Sequence, residues 1–360
     1  MSLAGRLYRA ETTFDFVGNR RRWLAISSVL LLLSIGSLAT RQLNLSVDFE
    51  GGTVVEVENP AGADVADVND ALSSIGRAGD TVQLVGGGTG IRVQTGDLTV
   101  ETEDRLIAAI TGVAGVEVND ASVESVGPTF GDEVARSALR ALIVFIVVIA
   151  VFISFRFEWR MALAALAALF HDLVITAGIY SIIGFEVTPA TVVAVLTILG
   201  YSLYDSVVVF DKVLEEIDYY GDERSIGDIV NLSMNLVLMR SINTSLTSLL
   251  PVGSLLFVGS YLLGAATLRE FALALFVGIA AGTYSSIFVA SPLLAVWKSK
   301  EEQWQRVDRK LARKASDEAD ASKVAAGAES ERPPSRALDS AGRQATGAIA
   351  RPPKRRKRKR

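Results

Sequence analysis

One stretch of the chain carries a carboxylate where hydrocarbon is expected. Gly200-Tyr201-Ser202-Leu203-Tyr204-Asp205-Ser206-Val207-Val208-Val209-Phe210-Asp211 closes an apolar run that begins near Thr191. A charged side chain at the centre of a bilayer costs about 2.5 to 3.5 kcal/mol on insertion scales, so it is kept for a purpose or it is protonated. Asp205 is therefore a candidate ion or proton site. Tyr201 and Ser202 precede it by four and three positions, which on a helix places them on its face, where they would donate or relay hydrogen bonds. The plainer alternative is a carboxylate tied to a neighbouring helix for structure alone.

Two more ionisable sites lie inside apolar runs. Arg240 sits six residues into the run that starts near Met234, at a depth like that of Asp205 if both runs are entered from the same face. An Asp205–Arg240 pair is then reasonable. Protonating the acid would loosen it, which makes a two-state element biased by one proton. Snorkelling of Arg240 to headgroups is the alternative. His171-Asp172 stands near the middle of a third run, as a proton site or as a buried hydrogen-bond clamp. Gly278 and Gly282 with Ser286 form a small-residue stripe that reads as close helix packing. Asn243-Thr244-Ser245, with Thr247 and Ser248, reads in the same way.

The elements that must position these residues are apolar. Half of the 360 residues are hydrophobic, which suits a membrane protein. Six runs are long enough to span: Trp23–Ala39, Leu139–Phe155, Met161–Ile183, Pro189–Phe210, Met234–Val258 and Phe271–Trp297. Arg20-Arg21-Arg22, Arg156, Arg160, Lys212, Arg224, Lys298 and Lys300 flank them on one side if both termini are cytoplasmic. The first run, ending in Ser37-Leu38-Ala39, also has features of a signal peptide. Pro251 inside the fifth run frees backbone groups and predicts a kink.

Charge is strongly asymmetric. Residues 41–133 hold 17 acidic groups against 4 basic ones, whereas residues 301–360 hold 17 basic against 9 acidic. The acidic segment, Gln42 to Pro128, reads as one small domain. Thr53–Glu58 alternates as a strand, and Asp64–Ile75 has helical spacing. Thr81–Val85 and Ile91–Gln94 flank a glycine turn, Thr102–Val113 is a second helix, and Val116–Val126 alternates again. That order is βαββαβ, the ferredoxin-like pattern. The glycine run Gly86-Gly87-Gly88 is no phosphate loop, because neither Lys-Ser/Thr nor a helix follows it. Ala315 to Pro353 is poor in large apolar groups and reads as disordered. Arg351–Arg360 holds eight basic residues that would attract anionic lipid or ribosomal RNA.

The expected architecture is thus a membrane α-helical bundle of six transmembrane helices with an α+β ferredoxin-like extracytoplasmic domain. Its divisions are a cytoplasmic N-terminus (1–22), transmembrane helix 1 (23–40), the extracytoplasmic domain (41–135), a five-helix membrane region (136–300) and a disordered basic cytoplasmic tail (301–360). The chain has no cysteine and one histidine, which excludes disulfides and any multi-histidine metal site within it. No cofactor is expected beyond a coupling ion, protons or sodium.

Six motifs together resemble a known family. Asp48-Phe49-Glu50-Gly51-Gly52-Thr53, Gly127-Pro128-Thr129-Phe130-Gly131, His171-Asp172, the Gly200–Asp211 stretch, Arg240 through Thr247, and Gly282-Thr283-Tyr284-Ser285-Ser286 stand in the order seen in SecF. SecF is the smaller membrane subunit of the SecDF accessory complex of protein export, within the resistance-nodulation-division superfamily. The resemblance covers about residues 12 to 297. It implies a non-enzymatic role, a SecD partner, the SecYEG translocon and preprotein substrates. It also implies use of the proton gradient in the cytoplasmic membrane, with Asp205 as the essential acid, Arg240 as its switching neighbour, and His171, Asp172 and Tyr201 near the coupling path. Tyr204 departs from the family pattern, where many relatives have Asn. Binding to DNA is not expected. Two rivals stand beside this reading: a homodimeric lipid or small-molecule transporter of the same superfamily, and an intramembrane aspartyl protease using Asp172 and Asp205. No Gly-x-Gly-Asp accompanies either aspartate.

Overall fold

A computed structural model describes residues 12–262 and 268–330. Among them, six helices are long and apolar enough to cross a membrane. They are α1 (Arg20–Arg41), α5 (Pro128–Arg156), α6 (Trp159–Ile183), α7 (Pro189–Tyr220), α8 (Ile226–Ser254) and α9 (Arg269–Ser285), the last continuing through a π-helical turn (Ser286–Ala290) into α10 (Ser291–Lys298). Local chemistry sets their ends. Pro128 and Pro189 occupy first-turn positions where no N–H is needed. Thr188 and Ser225 cap α7 and α8, and Gly184 closes α6 in the left-handed conformation at φ 80°. α7 has 32 residues, about 48 Å at 1.5 Å per residue, so it outruns a hydrocarbon core of about 30 Å. Its last turns, with Lys212, Glu215 and Glu216, are charged for that reason; Lys212 Nζ meets Glu216 at 2.8 Å.

Between α1 and α5 lie β1 (Asn44–Leu45), α2 (Val47–Glu50), β2 (Gly52–Glu58), α3 (Val65–Ser74), β3 (Thr81–Val85), β4 (Gly90–Thr95), α4 (Val100–Ala114) and β5 (Ser122–Val126). The sheet order is β3-β4-β2-β5, and every neighbouring pair is antiparallel. Val55, Val57, Ile91 and Val93 of one sheet face meet Val68, Leu72, Leu106 and Ile110 of the two helices in one buried cluster. Each such side chain contributes about 1.5–3 kcal/mol when fully buried. Asp64 caps α3 by accepting from the Ala66 and Asp67 amides at 2.8 and 2.9 Å. The alternating segment expected from Val116 to Val126 forms a strand only from Ser122. A 3-10 turn, Val118–Asp120, takes its first half, because the Asp120 side chain accepts from the Glu117 amide at 3.2 Å and a local side-chain bond displaces the ladder.

This sheet unit is joined to the helices at three points. β1 pairs in parallel with β6 (Glu186–Val187), the connection between α6 and α7. Gly51 and Gly52 have φ of 75° and 126°, and a Cβ on Gly51 would lie 2.6 Å from Pro128 Cα, so only glycine lets the entry to β2 pass beside the start of α5. Arg92 of β4 meets Glu186 at 2.8 Å, and Glu186 is 4% exposed. Burial pushes the Glu186 carboxyl above its ordinary range against the opposing pull of Arg92; Glu270 adds to the rise, Arg269 opposes it, and Asp48 adds to it. A carboxyl with a raised folded-state value is most favourable to stability at low pH, and that contribution is lost as pH climbs through the raised value. Arg92→Ala is therefore expected to lower stability by up to about 3 kcal/mol at neutral pH, where it strands a buried carboxylate, and by much less in acid. Thermal unfolding of the purified variant at two pH values reads this difference; an equal loss at both would contradict it.

The helices pack through their smallest residues. A Cβ on Gly178 of α6 would fall 2.6 Å from Ser34 Cα of α1, and one on Gly278 of α9 would fall 2.6 and 2.7 Å from Ile198 Cγ1 and Cγ2 of α7. Close approach of this kind is what holds helices together where apolar burial gives no net drive. Arg156 pairs with Asp211 at 2.5 Å, Arg160 with Glu301 at 3.2 Å, and buried Lys298 with Glu158, making a charged collar at one end of the bundle. Pro251 lies inside α8, which becomes π-helical from Leu255 to Leu262, the local relaxation expected after a lost N–H. The loop expected from Gly259 to Glu270 lies partly outside the described residues.

By its internal contacts the chain divides into residues Met1–Leu311 and Ala312–Arg360. In the first unit, the start of α11 (Glu302–Ser330) buries Trp304 and Val307 in the bundle core. In the second, helix continues to Ser330. This corrects the expectation of disorder from Ala315 and of a wholly disordered tail from residue 301. Alanine-rich sequence with pairs such as Arg306–Glu302 at 2.5 Å supports a helix on its own terms. The basic run Arg351–Arg360 lies outside the described residues.

Candidate functional site

Asp205 comes to rest on the buried side of α7, 4% exposed. Its Oδ1 accepts from Ser241 Oγ of α8 at 2.7 Å, and its Oδ2 has no hydrogen-bond partner among the described residues. Arg240, one position before Ser241, is turned by about 100° onto an exposed face. There its Nη2 donates to the Tyr204 hydroxyl at 2.9 Å, with the guanidinium 5.9 Å above that ring. The Asp205–Arg240 pair is therefore not formed. The buried stripe of α8 runs through Met234, Val237, Leu238, Ser241 and Ser245, and that periodicity selects Ser241 over Arg240 to face the acid.

Asp172 is fully buried on α6. Its Oδ2 accepts from Ser202 Oγ of α7 at 2.6 Å and from Ser285 Oγ of α9 at 2.8 Å, while His171 Nδ1 stands 3.2 Å from Oδ1. An acceptor for two hydroxyls on one oxygen is an ionised carboxylate, and three donors are what a buried charge requires. Ser202, expected to serve Asp205, thus serves Asp172. His171 stacks on Tyr284 with ring centroids 6.1 Å apart, and its Nε2 has no partner among the described residues. Tyr201 packs beside the cluster of Tyr180, Ile198 and Ala274, and no hydrogen bond joins it to Asp205 among the described residues.

The structure therefore brings Asp205, Asp172 and His171 into one buried polar layer across α6, α7, α8 and α9, and leaves Tyr201 and Arg240 at its margins. Serines complete the layer. Ser206 donates to Ser286 at 3.3 Å, and Ser245 and Thr283 meet at 2.7 Å. Gly282 makes room for it, since a Cβ there would lie 2.9 Å from Ser202 Cβ and 3.5 Å from Asp172 Oδ2. The two carboxylates are held by separate sets of hydroxyls, with no hydrogen bond between them among the described residues. An aspartyl protease dyad needs two carboxyls sharing one proton, and this arrangement does not supply that. Among the described residues no group of three His, Cys, Asp or Glu side chains could hold a metal ion.

The chain is similar to known proteins over most of its length. The family model for protein export membrane protein SecD/SecF, C-terminal, matches residues 106–300, and the SecD/SecF GG motif matches residues 36–58, which include Gly51 and Gly52. Protein translocase subunit SecF of Streptomyces coelicolor is 41% identical over 312 residues, covering 86% of this chain and 83% of the relative. The subunit of that name from Mycobacterium tuberculosis is 41% identical over 314 residues, covering 84% of this chain and 71% of its own length. The crystal structure of SecDF from Thermus thermophilus, described as a translocon-associated membrane protein, superposes with a TM-score of 0.74 at 35% identity. It takes in 83% of this chain, which spans 40% of that longer one. With six apolar helices, two family motifs and relatives matched over most of their length, the chain is a multi-pass membrane protein and belongs to the SecF family of protein translocase subunits.

Proposed function

We propose that this chain couples an ion gradient to protein export through protonation of Asp205. The observation that carries the reading is the state of that side chain: a carboxylate buried at 4% exposure in a spanning helix, with one oxygen bonded to Ser241 and the other without a partner among the described residues. An oxygen in that position is ready to take a proton. Asp172, with His171 beside it, is the second acid of the path. Arg240 lies on an exposed face with a tyrosine for its partner, and it stands ready for an acid supplied by another chain. Tyr201 lines the outer approach. The coupling ion is the proton, and sodium is the alternative that the same carboxylate chemistry admits.

The partner in this reading is SecD, since the Thermus relative carries both names in one chain. SecYEG and preproteins complete the assembly. The sheet unit, with its βαββαβ order, is read as a ferredoxin-like extracytoplasmic domain of residues 41–135. Its excess of acid suits contact with chains in transit. Both termini are then cytoplasmic in the plasma membrane, in keeping with the charged collar, and the role is transport without catalysis of a covalent step. Segments 1–22, 23–40, 136–300 and 301–360 keep their expected places, the last now partly helical.

Reconstitution with a SecD partner and SecYEG tests the reading. Precursor bound at the outer face is expected to move only when a proton gradient is imposed, and photocrosslinkers placed on the outer domain are expected to capture it. Movement indifferent to both proton and sodium gradients would remove the proposal.

A further inference from the structure

Two neighbouring serines touch both halves of the buried layer. Ser285 ends α9 and Ser286 begins the π-helical turn, and both are fully buried. Ser285 Oγ donates to Asp172 Oδ2 at 2.8 Å. Ser286 Oγ lies within hydrogen-bonding reach of the Asp205 carboxyl, accepts from Ser206 at 3.3 Å, and donates to the Gly282 carbonyl at 2.8 Å. Successive residues of a helix point about 100° apart, so one turn of α9 presents a hydroxyl to each of two acids carried by two other helices. The π-turn is anchored by Ser291, whose hydroxyl donates to the Ser286 carbonyl at 3.0 Å. Such turns are rare and concentrate at functional sites.

We propose that Ser285 and Ser286 are the positioning pair that couples Asp172 to Asp205. The inference rests on the proton-coupling reading above and adds to it the element that carries the signal. While Asp205 is ionised, it accepts from Ser286. Once Asp205 is protonated, its own O–H donates to Ser286 Oγ, and the serine proton is left to the Gly282 carbonyl. No bond to the serine oxygen breaks in this exchange; the proton enters and leaves at the carboxyl. The turn that holds Ser286 also holds Ser285, so a change at one acid alters the donor set of the other. Gly282 keeps the turn within reach of both. The titratable and charged groups around the layer are His171 and Asp172 of α6, Tyr204 and Asp205 of α7, Arg240 of α8 and Tyr284 of α9.

The test is the pH profile of gradient-driven export by the full complex in vesicles, for the parent, Ser285→Ala, Ser286→Ala, Ser286→Thr and Asp205→Asn. Removing a donor from a carboxylate makes protonation easier. Each alanine variant is therefore expected to move the half-maximal pH upward by about one unit, with the parent's unfolding midpoint retained, and Ser286→Thr is expected to restore the profile. Parental profiles in both alanine variants, with export lost in Asp205→Asn, overturn the coupling pair and leave the proton reading standing. Gradient-driven export retained in Asp205→Asn overturns the reading beneath it. Should an alanine variant fail to assemble, Ser285→Cys and Ser286→Cys keep the volume with a weaker donor, and an unmoved profile in both likewise overturns the coupling pair.

Discussion

Asp205→Asn is expected to give a folded, inserted protein that draws nothing from the proton gradient. The amide nearly matches the carboxylate in shape, and its oxygen can still accept from Ser241, now at 2.7 Å from Asp205. Removing a buried charge that lacks a cationic partner costs the fold little and can stabilise it. The function is lost because an amide takes up no proton in this range. Each proton forgone at 100 mV withdraws about 2.3 kcal/mol from the cycle. In vesicles the variant should show the ATP-driven rate alone, the same with and without a gradient. A gradient-dependent increment equal to the parent's would falsify the assignment.

The second large effect is structural. Gly278→Leu is expected to unseat α9 from α7 and to cost more than about 3 kcal/mol, the upper range for overpacking a well-filled core. Even the first carbon of a side chain at 278 would meet Ile198 at 2.6 and 2.7 Å, and Ile198 is itself 2% exposed within the cluster of Tyr180, Ala194 and Leu275. The loss should be read as a lower unfolding midpoint in detergent, and Ile198→Ala in the same chain should recover part of it. Because α9 also carries Ser285 to Asp172 at 2.8 Å, the variant should lose coupling along with stability. A Gly278→Leu protein as stable as the parent would mean that these helices do not meet as described.

The contrast between the two substitutions separates the two requirements on this bundle. One residue type is needed for a proton, and the other is needed so that helices come close enough to share it. Arg92→Ala at the outer joint tests a third requirement, the seating of the sheet unit on the helices.

Much of the architecture was legible in the amino-acid order alone. A hydrocarbon layer admits only long apolar helices, so the six runs and the misplaced acids within them could be read from hydropathy and charge. Asp64 ahead of a helical spacing, and a glycine turn between alternating segments, likewise determine local structure through contacts a few residues apart. What only the tertiary structure decided is which neighbour of a pair faces the acid. Ser241 and not Arg240 meets Asp205, and Ser202 turns to Asp172. A helix presents a new direction every 100°, so the choice depends on how each helix is rotated about its axis. That rotation is set by where Gly178, Gly278 and Gly282 let their partners approach, a fact of packing between segments far apart in the chain.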